Sequence, residues 1–306
     1  MQRSKEKQGM AVILFGCVLT ATLLVDNSAN AQEHVIFVSD FYQENITAYG
    51  SCQGPWYLRY VSSSDPAYDI AEWLDYSSSA DIIATEVNNC SSAGNSKTEY
   101  QYYINNIWQN FLNRTHAVPG NHDYYDDAEG FKWYFGNQTY HSFTKTAGST
   151  VWKIIGLDSN LDGNEMDDQL DWLQDELQNE DCTIAYFHHP RFSSGSRHGS
   201  NAEMQPIWEM LADNDVEVAI SGHDHIYERF SPMDADGNLD SNGLIQVVAG
   251  TGGAGLSGFG TAESNSVVRI ANTYGIVHFM LGQGGYSGHF MDRDGSYIDV
   301  FGASCH

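Results

Sequence analysis

The chain has 306 residues, of which 42% are hydrophobic and 13% aromatic, so it is too rich in core-forming side chains for a disordered protein. Its 40 acidic residues against 14 Lys and Arg leave a formal net charge of −26 at pH 7. So few cations cannot build a basic patch, which argues against a nucleic-acid docking surface and excludes docking onto an anionic lipid surface. An acidic, Lys-poor chain is instead suited to capturing metal cations.

The first 31 residues have the parts of a secretory signal peptide. Residues 1–8 carry three cations, residues 10–25 are rich in apolar side chains, and residues 29–31 read Ala-Asn-Ala, a small-x-small cleavage pattern. The apolar run is shorter than the about 20 residues of a membrane span. We therefore expect a signal peptide over 1–31, a secreted or periplasmic protein without a transmembrane segment after signal removal, and one domain over 32–306. An uncleaved anchor and a lipoprotein attached at Cys17 remain alternatives.

The cysteines agree with export. Removal of Cys17 with the signal leaves four, Cys52, Cys90, Cys182 and Cys305. An even number outside the cytosol suggests two disulfides, in any of three pairings. Since no Cys-x-x-Cys occurs, a zinc ribbon and a thioredoxin-type redox motif are excluded.

Short apolar and β-branched runs alternate with amphipathic segments along the mature chain. Strands are predicted at residues 34–39, 81–86, 115–118, 151–157, 183–187, 216–220, 244–249 and 274–281. Helices are predicted at 99–112, at 165–178 and around 204–211, where apolar side chains recur at helical spacing. The order predicts an α/β layered domain with a β-rich C-terminal part.

Residues able to bind metal follow several of these strands. They are Asp40, the Gly-Asn-His-Asp run at 120–123, the His-His-Pro run at 188–190 and the Gly-His-Asp-His run at 222–225. Because the carboxyl ends of strands in open α/β sheets open into one crevice, we expect these segments to converge. Mixed imidazole, amide and carboxylate donors suit iron, zinc or manganese rather than calcium. Two such ions close together assist in-line displacement at phosphorus.

The surrounding sequence resembles a known family. Residues 120–123, 185–195, 198–200, 221–230, 248–253 and 305–306 are similar to the calcineurin-like metallophosphoesterases, in particular to the secreted bacterial branch related to purple acid phosphatases. The resemblance implies a layered β-sandwich flanked by helices. It also implies a secreted hydrolase in which a metal-bound hydroxide attacks a small-molecule or macromolecular phosphate ester.

The resemblance also implies a set of metal ligands, for iron, zinc or manganese. The second metal would be held by Asn121, His188 and His223, and the first by Asp40 and His225. One ion is expected in the second subsite, whereas the occupancy of the first subsite is in doubt.

Other residues are implied to face the substrate. His122 would stabilise or protonate the leaving oxygen, with Asp123 orienting it, and His198 and Asn121 would lie near the substrate phosphate. The neighbouring His189 is expected to be structural and packed beneath the site.

The doubt about the first subsite comes from departures from the family pattern. The family has Gly-Asp-x-x-Tyr after the second strand, where this chain reads Glu86-Val87-Asn88-Asn89-Cys90. By this alignment Val87 replaces a bridging carboxylate, Cys90 replaces a tyrosinate ligand, and Tyr42 adds bulk nearby. Glu86 substitutes only through a shifted turn, because adjacent strand residues point to opposite faces. The alternative function is therefore an impaired family member that acts as a binding or structural protein with one metal or none.

The remaining histidines stand alone in the sequence. They are His34, His116, His141, His278 and His289, and we expect ordinary surface or core residues at these positions.

Overall fold

The computed structural model describes residues 32–40, 80–86, 112–178 and 182–306, together with 100–101, 104–105 and 108–110. The expected signal peptide at 1–31 lies outside the described residues, as do Tyr42, Cys52, Val87 and Cys90. Among the helices in the described part of the chain, none is both long and apolar enough to span a bilayer.

Two mixed β-sheets form the centre of the molecule. The strands are, in chain order, β1 (Glu33–Ser39), β2 (Asp81–Thr85), β3 (Thr115–Val118), β4 (His141–Ala147), β5 (Thr150–Gly156), β6 (Cys182–Tyr186), β7 (Val218–Ser221), β8 (Tyr227–Phe230), β9 (Ile245–Ala249), β10 (Ser266–Ile270), β11 (Gly275–Gly282), β12 (Gly285–Asp292) and β13 (Tyr297–Ser304). The first sheet has the order β13-β12-β11-β1-β2-β3 and the second β10-β8-β9-β7-β6-β5-β4. The helices with described bounds are α1 (Glu129–Phe135), α2 (Gly163–Glu176) and α3 (Gln205–Asp213).

Strand alternation divides the hydrophobic residues into three layers. From β1, Val35 and Phe37 enter the core between the sheets, while Ile36 and Val38 join a second core on the outer face of the first sheet. A third core, which includes Leu173 of α2 and Trp208 of α3, covers the outer face of the second sheet. The molecule is thus a layered β-sandwich flanked by helices, which confirms the predicted fold class.

The predicted strands all appear with small shifts at their ends, but five strands were not predicted. These are β4, β8, β10, β12 and β13. β4, β10 and β13 lie at sheet edges, and β10 and β13 alternate half-buried with exposed residues, so neither carries an apolar run. Within the predicted helix at 99–112, the described residues 100–101 and 104–105 are α-helical and Trp108–Asn110 is a 3-10 turn, and a second 3-10 turn, Leu112–Arg114, begins at its last residue.

The two sheets meet at the edge where the parallel strands end. β1, β2 and β3 run parallel in the first sheet, as do β6 and β7 in the second. The loop after β9 is hydrogen-bonded to the end of β1. Gly252 N–H donates to the carbonyl oxygen of Ser39 and Ala254 N–H donates to that of Asp40, both at 3.0 Å. The segments that follow these strands therefore share one crevice.

Two contacts join the sheets elsewhere. A disulfide links Cys182 at the start of β6 to Cys305 just after β13, across 123 residues of chain. On β13, the Asp299 carboxylate accepts hydrogen bonds from Arg229 Nε at 2.7 Å, Arg229 Nη2 at 3.1 Å and Tyr227 O–H at 2.7 Å, all from β8. Burial alone would raise the pKa of Asp299, but these donors hold it below its ordinary value.

We predict that Asp299→Asn destabilises the protein at pH 7 and not at low pH. The loss at pH 7 should be about 2 kcal/mol, typical of hydrogen bonds to a charged group. Because the pKa of Asp299 is lowered by folding, this stabilisation is present above the unfolded value of about 3.9 and is lost as pH falls through the folded value. Urea unfolding at pH 7 and at about pH 3 measures both. The exposed Asp294→Asn is the control, and an equal loss at both pH values would contradict the assignment.

Candidate metal centre

Three side chains from separate loops point at one another in the crevice. Asn121 follows β3, His188 follows β6 and His223 follows β7. Asn121 Oδ1 lies 2.9 Å from His188 Nε2 and 2.9 Å from His223 Nδ1, and the two nitrogens are 3.2 Å apart. Ligand atoms at metal distances of about 2.1 Å are separated by about 3 Å, so this triangle has the dimensions of one face of a coordination shell.

Asp40 and His225 lie together beside that triangle. His225 Nε2 is 3.6 Å from Asp40 Oδ1, and His225 Nδ1 lies 2.8 Å from the carbonyl oxygen of Gly255. Since a carbonyl only accepts, Nδ1 carries a proton. Burial acts to lower the pKa of His225, but its hydrogen bond to Asp40 and the charge of Asp40 raise it above its ordinary value, so without metal Nε2 also holds a proton that faces Asp40. A metal ion would take the place of that Nε2 proton. Asp40 is also linked to the triangle, because the backbone N–H of His223 donates to its Oδ2 at 2.9 Å.

The structure also places the side chain of Glu86 in the site, although strand alternation alone predicts that it points away. β2 ends at Thr85, which pairs with Ser39 of β1, so Asp40 and Glu86 are each the first residue beyond two paired parallel strands. Glu86 has a left-handed backbone (φ 49°), and its Oε1 lies 3.8 Å from His188 Nε2. The chain thus takes the shifted turn that the sequence left open for Glu86, because strand alternation holds only as far as Thr85. The parallel register of β1 and β2 is the signal that identifies this residue.

Gly120 makes the room that Glu86 occupies. A Cβ built on Gly120 would lie 2.5 Å from Glu86 Cβ and 2.7 Å from its Oε1, both far inside contact distance. The next turn of chain then fixes the carboxylate, because the backbone N–H of His122 donates to Glu86 Oε1 at 2.8 Å.

Backbone strain occurs at three residues of this site. Asp40 (φ 54°), Glu86 (φ 49°) and His223 (φ 68°) all adopt the left-handed region, which costs a non-glycine residue about 1–2 kcal/mol. Such conformations persist where the surroundings impose them, and they cluster at functional sites. Here the carboxylate of Asp40 is held by the hydroxyl of Ser39 at 2.7 Å as well as by His223 N–H.

The burial and charges of the site fit a bound cation. Asp40 and Glu86 are 1% and 0% exposed, and Glu86 Oε2 is a buried atom without a hydrogen-bond partner. Burial, followed by the charges of Asp40 and Asp123, raises the pKa of Glu86 well above its usual range. For Asp40, burial acts in the same direction, but the hydrogen bond and charge of His225 and the nearby His188 hold the pKa well below its usual range. A metal ion between the two carboxylates would satisfy the orphaned oxygen and let both stay ionised, so the residues present fit a metal.

The imidazoles of the triangle are in the form that binds metal. Burial lowers the pKa of His188 well below its usual range, and burial with the neighbouring His189 and His198 lowers that of His223 to about 2. Both rings are therefore neutral over the ordinary pH range, with lone pairs free for coordination. His189 is close by, since one of its ring nitrogens lies within 4.8 Å of ligand nitrogens of His188 and His223, and its Nδ1 is 2.9 Å from Ser159 Oγ.

Two of the residues expected to face substrate follow β3. His122 is half-buried, with its ring edge packed on Tyr125 at a centroid distance of 4.9 Å. Asp123 is buried and accepts hydrogen bonds from the Tyr100 hydroxyl and from Gly120 N–H at 2.8 Å. Asp123 thus anchors the turn that carries Asn121 and His122, and its expected action on the His122 ring stays a prediction.

The third such residue, His198, lies on a loop fastened by Asp224. The ring of His198 is 4.0 Å from that of His223. Buried Asp224 accepts hydrogen bonds from Ser193 Oγ at 2.6 Å, His198 N–H at 3.1 Å and Gly199 N–H at 2.9 Å. Asp224, which lies between His223 and His225 in the chain, therefore holds the 193–199 loop in place beside them. The sequence motif alone does not reveal this role.

Comparison with known proteins bears on this arrangement. The family model described as calcineurin-like phosphoesterase matches residues 35–227, which is more than half of the chain. The chain belongs to the calcineurin-like phosphoesterase family. The candidate ligands all lie within the matched range, namely Asp40, Glu86, Asn121, His188, His223 and His225.

The chain is similar to several purple acid phosphatases. Purple acid phosphatase 23 of Arabidopsis thaliana is 28% identical over 160 residues, which cover 45% of this chain but only 34% of that protein. The solved purple acid phosphatase PPD1 of yellow lupin (Lupinus luteus) has a TM-score of 0.68 at 16% identity, over 90% of this chain and 54% of the other. GAP50, described as the anchor in the inner membrane complex of Plasmodium, has a TM-score of 0.69 at 14% identity, over 90% and 89%. At identities of 16% and 14%, the likeness of these two structures to this chain shows a common fold alone.

We predict that Gly120→Ala weakens metal binding at the candidate metal centre while the protein stays folded. The new methyl group would collide with Glu86 and displace its carboxylate. Metal affinity, measured by calorimetric titration with Zn²⁺ or Mn²⁺, should fall by about 10- to 100-fold, the usual effect of misplacing a ligand or its support.

Gly260→Ala is the matched control, because a Cβ there meets only atoms at 3.7 Å and no left-handed backbone is involved. Unchanged metal affinity in Gly120→Ala would show that Glu86 takes no part in binding.

Proposed function

We propose that the chain is an exported, metal-dependent phosphoesterase that hydrolyses a small-molecule or macromolecular phosphate ester. The observation that carries this proposal is the triangle of Asn121 Oδ1, His188 Nε2 and His223 Nδ1, with edges of 2.9, 2.9 and 3.2 Å. Export is inferred from the signal-like residues 1–31.

The ligand set divides between two ions. Asn121, His188 and His223 would hold one, Asp40 and His225 the other, and Glu86 lies between the two groups, near Asp40 and His188. Iron, zinc or manganese fits these nitrogen and oxygen donors. When bound, the ions would supply positive charge at the phosphoryl oxygens and activate the attacking water.

The chain's own residues then bind and orient the ester. His122, half-buried at the mouth of the site, would donate a proton or hydrogen bond to the leaving oxygen. His198 would bind a phosphoryl oxygen from the loop that Asp224 fastens, and the Asn121 amide, which has two N–H donors besides its ligand oxygen, would bind another.

The alternative is a catalytically impaired or inactive family member that acts as a binding or structural protein with one metal or none. It is favoured by the sequence departures at Tyr42 and Cys90, where the family has a glycine and a tyrosine. The departure at Val87 weighs less, since Glu86 supplies a buried carboxylate within 3.8 Å of His188.

Substitutions at Glu86 and Val87 separate the two functions. We expect Glu86→Gln, which keeps the size but removes the charge, to lower kcat/KM for p-nitrophenyl phosphate by about 100-fold or more, because the site loses the anion between its cations. Glu86→Asp keeps the charge and should retain more activity than Glu86→Gln. Metal content by elemental analysis should be near two ions per chain in the unaltered protein and near one in Glu86→Gln.

The impaired relative makes the opposite predictions. An unaltered protein with one ion or none, no turnover, and a gain of activity on Val87→Asp would replace the phosphoesterase proposal with the binding function.

A further inference from the structure

Arg197 carries a positive charge that no described residue neutralises. Its side chain is exposed, and it makes no ion pair, hydrogen bond or ring contact with any residue in the described part of the chain. Other cations are engaged, since Arg229 binds Asp299 at 2.7 Å and Lys153 binds Glu176 at 2.8 Å. In a protein with 40 acidic residues against 14 Lys and Arg, a guanidinium without a carboxylate partner is an exception. Arg197 is therefore available to bind an anion from outside the chain.

The backbone on both sides of Arg197 is held in place. Ser196 N–H donates to the carbonyl oxygen of Gly258 at 2.9 Å. On the other side, His198 N–H donates to the buried carboxylate of Asp224 at 3.1 Å. A ligand that binds Arg197 therefore does not have to order this loop, and loop ordering is one of the costs of binding.

Arg197 lies at the mouth of the candidate metal centre. The ring of the adjacent His198 is 4.0 Å from the ring of His223, a candidate metal ligand. Burial lowers the pKa of His198, and the charge of Arg197 adds to this effect. At His225, burial and the charge of Arg197 both act against the rise of the pKa. The guanidinium is thus near histidines of both proposed metal subsites.

The exposure of Arg197 indicates which part of a substrate it meets. In the proposed function, the reacting phosphoryl group is bound by the two ions, Asn121 and His198. In-line attack by water activated at the ions places the leaving group on the side of phosphorus away from that water, toward the solvent. An exposed guanidinium at the mouth of the crevice is positioned to contact the leaving group. Since the net charge of −26 repels anions, a local positive charge is needed to admit a leaving group that is itself negative.

We propose that Arg197 binds a second anionic group on the substrate, so that the preferred substrates are small phosphate esters whose leaving group carries another phosphate or a carboxylate. This inference rests on the proposed phosphoesterase function and names its substrate class. A guanidinium suits both groups, because its planar fork makes paired, charge-assisted hydrogen bonds with either of them.

The kinetic test uses pairs of esters that differ in one anionic group. Ethylene glycol bisphosphate is compared with the monophosphate, and phosphoglycerate with glycerol phosphate. We expect Arg197→Gln to raise the KM of the doubly anionic member about tenfold more than that of its partner, as one charge-assisted pair is lost. Arg197→Lys keeps the charge but not the fork and should restore part of the preference. The pair with the larger change shows whether phosphate or carboxylate is the natural group.

A binding test distinguishes this inference from the phosphoesterase proposal. Zn²⁺-loaded protein is titrated by calorimetry with ethylenebisphosphonate and with methylphosphonate, whose carbon–phosphorus bonds are not esters. Affinity for the bisphosphonate should fall about tenfold more in Arg197→Gln than affinity for methylphosphonate. If this is found in a protein that hydrolyses no ester, the anion site stands and the phosphoesterase proposal fails. If neither phosphonate binds the unaltered protein, both are overturned.

Arg269→Gln is the matched control, because it removes the same charge from an exposed residue of β10, whose guanidinium lies over the ring of Phe259 at 5.9 Å. β10 is three strands away from β7, the strand before His223. An equal effect of Arg269→Gln would show a general charge effect and overturn the assignment. Equal changes for both members of each pair in Arg197→Gln would place Arg197 on the reacting phosphoryl group instead and also overturn it.

Discussion

Two carboxylates, Asp40 and Glu86, are held next to each other where water has almost no access. Their exposures of 1% and 0% leave solvent unable to separate the charges, and no Lys or Arg is bonded to either among the described residues. Like charges in such a place require a shared proton or a cation. Burial lowers the pKa of His188 and His223, so both are neutral, and His225, whose pKa is raised by Asp40, balances only that one carboxylate. A metal ion is the further counter-charge that the surrounding structure supports.

The sheets are arranged so that this pair can form. Parallel pairing of β1 with β2 places Asp40 and Glu86 at equivalent positions, and left-handed backbone at both residues turns the chain into the crevice. Parallel strands of the second sheet bring His188 and His223 to the same edge. Asp123 and Asp224 then hold the two connecting loops through backbone N–H groups. The strain at the site is thus supported by hydrogen bonds from both halves of the sandwich.

Much of this arrangement was predictable from the residues alone. Buried strands such as β6 and β9 are continuous apolar runs, and the Asn121, His188 and His223 motifs directly follow strands, so their convergence follows from the fold class. Glu86 was not predictable in the same way, because its direction depends on a left-handed residue beyond the strand and on the missing Cβ of Gly120.

A crystal structure of the protein loaded with Zn²⁺ or Mn²⁺, with anomalous scattering to locate the ions, tests the central claim most directly. The account predicts two ions in the crevice, with the carboxylate of Glu86 between them and Asp40 and His225 on one side. A single ion bound by Asn121, His188 and His223, with Glu86 turned away and protonated, would contradict it.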